Sequence, residues 1–115
     1  MTHVQKETAV LLKEKGFDLP VRKFYGQHNN GELTTGVLYD YNLHEHMISA
    51  PTLHEAADWL RSKGVHVYVT CTANEWYFSI QKTNGVSLFN STAPNATHDL
   101  ALESGIIYAL KNYVK

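Results

Sequence analysis

The chain has a single cysteine, Cys71, and almost no net charge. One cysteine cannot build an internal disulfide framework or a cysteine-based zinc module. No stretch approaches the roughly 18 consecutive apolar residues of a membrane-spanning helix. The 10 basic and 11 acidic residues leave a formal charge of -1, whereas domains that bind phosphates of nucleic acids usually carry a clear basic excess. The composition therefore argues against disulfide scaffolds, membrane proteins and strongly electrostatic nucleic-acid binders.

The first residues lack the basic and apolar pattern of a secretory signal peptide, so we expect a cytoplasmic protein. The length of 115 residues suits one domain over 1–115. The motifs GxSxG, GxGxxG and GKS/T are absent, and each of them would place a nucleophile or a phosphate at a defined turn. We therefore expect no enzyme, no catalytic residue and no cofactor.

Three segments carry helix signals. Thr52 and Glu55 have the spacing of a capping box, in which each side chain pairs with the backbone N–H of the other residue. Thr2 and Gln5 have the same spacing. The predicted helices run over about 3–15, 53–63 and 98–113. Gly105 in the third helix costs about 1 kcal/mol relative to Ala, so it is either simply tolerated or marks a close crossing over a sheet.

The segment 65–83 has the alternating pattern of an antiparallel hairpin. A two-residue loop at Ala73 and Asn74 places apolar residues opposite apolar residues, whereas a three-residue loop would mix the two faces. The apolar face then consists of Val67, Val69, Cys71, Trp76, Phe78 and Ile80. On this face Cys71 is expected to be a buried structural cysteine.

Further strands are predicted on both sides of this hairpin. Asn84 and Gly85 are typical of a type I′ turn and lead to a short strand over 86–89, which could form an exposed edge. The remaining predictions are strands over 21–25 and 33–41, a turn at 29–31 and a loop over 42–50. These elements predict an α+β fold, with an antiparallel sheet of about four or five strands and three helices packed mainly on one face.

The candidate binding residues are His66, Tyr68 and Tyr77, on the hairpin face opposite the apolar one. If exposed, the tyrosines could contact a partner protein, since Tyr is enriched at interfaces. They could also stack on the bases of a nucleic acid. In the third interpretation residues 18–50 cover this face, which then belongs to the interior.

Seven histidines raise the question of a metal site. His44 and His46 can point the same way in an extended segment, and His54 follows shortly. A zinc site needs three or four ligands that converge at about 2.0–2.3 Å from the ion, and this spacing is not that of HExxH. Ordinary loop histidines explain the pattern better, so we predict no metal ligand. A small metal-dependent enzyme at these three histidines remains an alternative.

Several stretches are similar, in combination, to one family. They are 11–19, 48–53, 59–67, 76–77 and 101–110. The combination resembles small uncharacterised proteins of gut bacteria and their prophage-like elements, over about residues 9–113. The resemblance implies no known activity, cofactor or catalytic residue. Small size and association with mobile elements suit an accessory or interaction protein.

We therefore expect a cytoplasmic binding or interaction module, related to phages or mobile elements. Its expected partner is a second copy or another protein, bound through a sheet surface or edge. A nucleic-acid-binding accessory protein that uses the aromatic face is the alternative, and a membrane partner is not expected.

Overall fold

The computed structural model describes residues 2–26 and 31–114. Its elements, in chain order, are α1 (Lys6–Glu14), β1 (Val21–Gly26), β2 (Leu33–Tyr39), a 3-10 helix (Tyr41–Leu43), β3 (Met47–Ser49), α2 (Leu53–Ser62), β4 (Val65–Thr72), β5 (Glu75–Lys82), β6 (Ser87–Asn90) and α3 (His98–Asn112). The fold is α+β, as predicted. The predicted turn at 29–31 lies mostly outside the described residues.

The strands form two antiparallel three-stranded sheets, in the orders β2-β1-β3 and β4-β5-β6. The prediction of one sheet with four or five strands is therefore wrong. The unexpected strand is β3, in the segment 42–50 that was predicted to be a loop. Its three residues are too few to show an alternating pattern. Because β3 occupies the second side of β1, the first sheet is complete before the chain enters α2.

The β4–β5 hairpin has the predicted register, with Val69 opposite Phe78 and Cys71 opposite Trp76. Ala73 and Asn74 have φ values of 52° and 64°, as the two central residues of a type I′ turn require. The apolar face packs under α3, which contacts both β4 and β5. Its buried members are Val67, Phe78 and Ile80.

Cys71 is exposed, so the prediction of a buried structural cysteine is wrong. The apolar face becomes progressively less covered toward the turn, where Val69 is half-buried. Near the turn, the residues that cover the apolar face contact Trp76 on β5, the central strand of this sheet. His98 lies edge-on to the Trp76 ring at 5.6 Å between centroids, and Asn95 pairs with the Trp76 backbone. The edge position of Cys71 leaves it outside this cover.

The two predicted capping boxes had different outcomes. At α2 both bonds form, with 3.1 Å from the Glu55 N–H to Thr52 Oγ1 and 2.8 Å from the Thr52 N–H to Glu55 Oε1. At α1 the prediction is wrong, because Gln5 is the N-cap and makes no side-chain capping bond. The Gln5 N–H, which Thr2 Oγ1 would accept in a capping box, instead donates to Glu103 Oε2 on α3 at 3.1 Å. A distant carboxylate has therefore replaced the local partner.

The turn between β5 and β6 also differs from the prediction of type I′. Asn84 keeps a negative φ, and only Gly85 is left-handed, with φ of 86°. The Gly85 N–H donates to Lys82 O at 2.9 Å, and the Lys82 N–H donates to Val86 O at 2.8 Å. This is the three-residue loop in which a type I turn precedes a left-handed residue. The extra residue starts β6 at Ser87, one position later than expected.

Gly105 lies where α3 crosses the second sheet. A Cβ atom at this position would sit 2.6 Å from Val67 Cγ1 and 3.0 Å from Phe78 Cβ. Such distances are below ordinary contact, so a side chain here would force α3 away from the strands. Of the two explanations offered by the sequence, the close crossing is the correct one.

We predict that Gly105→Ala lowers the free energy of unfolding by about 1–2 kcal/mol. Overpacking a core costs about 1–3 kcal/mol, and the better helix propensity of Ala returns up to about 1 kcal/mol. Urea unfolding measures the change. Val67→Ala removes the closest clashing group, so it should cost less in the Gly105→Ala background than in the wild type. Strictly additive effects of the two substitutions would contradict the close crossing.

Candidate interaction surface

The outer face of the second sheet, which we define as the face opposite α3, carries the three predicted binding residues. Tyr68 is 42% exposed, while His66 and Tyr77 are half-buried. The interpretation that residues 18–50 cover this face is wrong. The described residues of this segment form the first sheet and the 3-10 helix, and no described strand of that sheet packs extensively on β4, β5 or β6.

The two tyrosines lie close together but differ in their surroundings. Tyr68 on β4 opposes the small residue Ser79 on β5, and Tyr77 on β5 opposes Thr70 on β4. The Tyr77 hydroxyl donates to Glu75 Oε2 at 2.7 Å. This hydrogen bond is the main cause that raises the pKa of Tyr77 above 10.0, with smaller contributions from burial and from the Glu75 charge. A carboxylate therefore stands beside the aromatic face.

The His66 side chain is less exposed than that of Tyr68. Its Nε2 atom is buried and has no hydrogen-bond partner among the described residues. The structure therefore brings all three predicted residues onto one face, but Tyr68 is the member that a partner can reach most easily.

The backbone of β5 shows which way the hydrogen-bonding groups of the hairpin point. Trp76 exchanges two backbone bonds with Asn95, at 3.2 and 2.8 Å. The Phe78 N–H donates to Ser91 Oγ at 3.0 Å, and Phe78 O accepts the Ser91 N–H at 2.9 Å. Trp76 and Phe78 thus direct their backbone groups away from β4.

The opposed residues on β4 must then point the other way. In an antiparallel pair, successive residues alternate between bonding the neighbouring strand and turning away from it. Val69 and Cys71, which oppose Phe78 and Trp76, therefore direct their N–H and C=O groups to the outer edge of β4. Within residues 2–26 and 31–114, no partner takes these groups. We call these groups, together with the exposed side chains of Tyr68, Thr70 and Thr72, the β4 edge.

The other three strand edges are short or distorted. β3 has three residues and β6 has four, and the pairing of β6 is irregular between Ile80 and Gln81. β2 contains a bulge. Its pairing moves four residues along β2, from Thr35 to Tyr39, while it moves only two residues along β1. The Val37 carbonyl in that bulge already accepts the Tyr41 hydroxyl at 2.5 Å. These are the devices by which proteins prevent unwanted strand pairing.

β4 is neither short nor distorted, although α2 packs against it. Its eight residues pair with β5 without any register shift, and no Asp, Glu, Lys or Arg occurs between Lys63 and Glu75. The sequence contains this signal as an uncharged run over 64–74. The edge was nevertheless missed, since the run shows only that β4 is neutral, and its position at a sheet edge follows from the strand order.

The three histidines of the metal hypothesis do not converge. The His44 ring lies against Tyr39, with 5.6 Å between centroids. His46 lines a cleft beside Lys6, and His54 lies in the first turn of α2. No group of three or more His, Cys, Asp or Glu side chains in the described part of the chain could hold a metal ion. The structure therefore gives the metal-dependent alternative no site.

One cleft of about 530 Å³ lies between the first sheet and α2, and no sequence pattern predicts it. Arg22 and Lys23 line the strand side, while Glu55 and Asp58 line the helix side. Glu55 is held in the α2 capping box, and Asp58 binds Arg61 at 2.7 Å. The cationic and acidic side chains of this cleft balance, so its charge selects no particular ligand.

Comparisons with family models, with curated proteins and with solved structures find no match to this chain. The resemblance to small proteins of gut bacteria and prophage-like elements therefore stays a prediction. None of the described helices is long and apolar enough to cross a membrane.

We predict that Glu75→Gln lowers the pKa of Tyr77 toward 10.0. The charged acceptor favours the neutral phenol, so its removal makes the phenolate easier to form. Tyrosine ¹³Cζ shifts followed by NMR against pH give the value, and Tyr77→Phe identifies the resonance by its loss. An unchanged midpoint in Glu75→Gln would show that the bond does not control this side chain.

Proposed function

We propose that this protein is a protein-interaction module that binds by strand addition at the β4 edge. The observation that carries the proposal is a regular eight-residue edge strand without charge or bulge, whose outward backbone groups at Val69 and Cys71 have no partner among the described residues. A strand added to such an edge gains main-chain hydrogen bonds, and alternate side chains then supply specificity. Val69 and Cys71 offer the free backbone groups for this pairing.

The outer face adds side-chain contacts to this backbone pairing. Tyr68 lies on the edge strand itself, so a strand added beside β4 covers part of its exposed ring. Tyr77 lies one strand further in, where a side chain reaching over β4 meets it. Tyrosine supplies a large contact area at a low cost in conformational entropy, which suits both positions to an interface.

The aromatic face also suits the alternative, a nucleic-acid-binding accessory protein, because bases stack on tyrosine rings. Charge favours the protein partner instead. Phosphates need Lys or Arg nearby, and the run 64–74 has neither. The Glu75 carboxylate at Tyr77 adds a negative charge where a phosphate would approach. A cytoplasmic interaction module also agrees with the predicted location and with the resemblance to mobile-element proteins.

We predict that a fluorescent peptide with the sequence of residues 65–72, with Ser in place of the cysteine, binds the protein in an anisotropy titration. Cys71→Pro should raise the Kd at least about tenfold, since it removes an N–H donor worth about 1 kcal/mol and places a ring in the path of the added strand. The protein is kept at low concentration so that its own edge remains free.

Cys71→Ser is the matched control, because it changes the same exposed side chain but keeps the N–H. Proline is tolerated on an edge strand where its nitrogen faces solvent, so both variants should unfold at similar urea concentrations. Equal affinity of the two variants for the peptide would contradict binding at the β4 edge. Absence of peptide binding to the wild type would contradict strand addition itself.

A further inference from the structure

We infer that the strand bound at the β4 edge is β4 of a second copy of this chain. The inference rests on the proposed function and names its partner. Two copies related by a two-fold axis perpendicular to the sheet would pair their β4 strands antiparallel. The β4-β5-β6 sheet of one copy would then join the same sheet of the other copy into one continuous sheet, with both α3 helices on the same side.

Charge is the first argument for a second copy. A two-fold axis brings each residue near its own counterpart, so every charge close to the axis meets a like charge, which is destabilising across paired strands. Most surface strands carry charges that forbid such self-pairing. The uncharged run between Lys63 and Glu75 satisfies this requirement over the whole of β4. β2 is also uncharged, but its bulge prevents regular pairing.

The alternation of side chains is the second argument. Antiparallel pairing of β4 with itself keeps like faces together when odd-numbered residues oppose odd-numbered residues. Val69 and Cys71 are odd-numbered, lie on the α3 face and direct their backbone groups outward. The same two residues would therefore hydrogen-bond to β4 of the second copy and extend the apolar face. Val69, which is half-buried in one copy, then packs against apolar β4 residues of the other. A second copy supplies this matching pattern automatically.

The test uses opposite charges at Thr70, which is exposed on the β4 edge. In a dimer of either variant, Thr70→Lys or Thr70→Glu, the two copies bring like charges near one another across the two-fold axis. Sedimentation velocity at low salt should show a dimer for the wild type and a dissociation constant raised up to about fivefold for each variant, as like charges across paired strands cost up to about 1 kcal/mol. An equimolar mixture of the two variants should recover the dimer, because opposite charges then meet.

Ser87→Lys and Ser87→Glu are the controls. Ser87 is exposed on β6, at the other edge of the same sheet, so these variants change the net charge equally without altering β4. They should associate as the wild type does. Cys71→Pro should weaken the dimer, whereas Cys71→Ser should not.

The outcomes separate this inference from the proposed function. A wild type that stays monomeric at high concentration but binds the β4 peptide overturns the second copy and keeps strand addition. If the Thr70 variants and Cys71→Pro dimerise as well as the Ser87 variants do, the dimer forms through another surface. This result also overturns the inference. Failure of the mixture to recover the dimer excludes the two-fold pairing of β4. A wild type that neither dimerises nor binds the peptide contradicts both proposals.

Discussion

Ala73 and Asn74 both take left-handed backbone conformations, and a two-residue turn of this kind aligns its flanking strands in a single register. That register decides which side chains of β4 and β5 face α3 and which form the outer face. It also decides that Val69 and Cys71 turn their backbone groups outward. A slip of one residue would move every side chain to the opposite face. The core and the proposed interface therefore depend on the same turn.

Features governed by local chemistry could be predicted from the sequence. The hairpin register follows from matching two alternating patterns, and the α2 capping box follows from two side chains that are three residues apart. The same capping pattern at Thr2 failed because the Gln5 N–H donates to the Glu103 carboxylate on α3 instead of to the Thr2 hydroxyl. Hydrogen bonds to charged groups are stronger than those to neutral groups. Sequence spacing contains no information about such a distant competitor.

The candidate site divides in the same way. The pairing of Tyr68 and Tyr77 on one face follows from alternation and was predicted. The free edge of β4 was not, because an edge is defined by the strand that is missing beside it. The predicted edge over 86–89 does exist as β6, but its four residues and irregular pairing make it a poor template. Likewise, Cys71 lies on the same face of β4 as the core residues, as the alternation predicted. The alternation does not show how far the cover by α3 extends toward the turn.

A long neutral edge strand is a hazard for aggregation unless something terminates the pairing. The proposed two-fold pairing of β4 with itself would provide that termination, since each copy would use its only long regular edge among the described strands. The outer strands of the joined sheet would be the two β6 strands, which are short and irregularly paired. Growth of the sheet would therefore stop at two copies, as expected of an interface in which both partners use the same surface. The distortions of β2, β3 and β6 and the regularity of β4 then have one physical explanation. In the proposed dimer, pairing would be prevented at the described β2, β3 and β6 edges and limited to a single partner at β4.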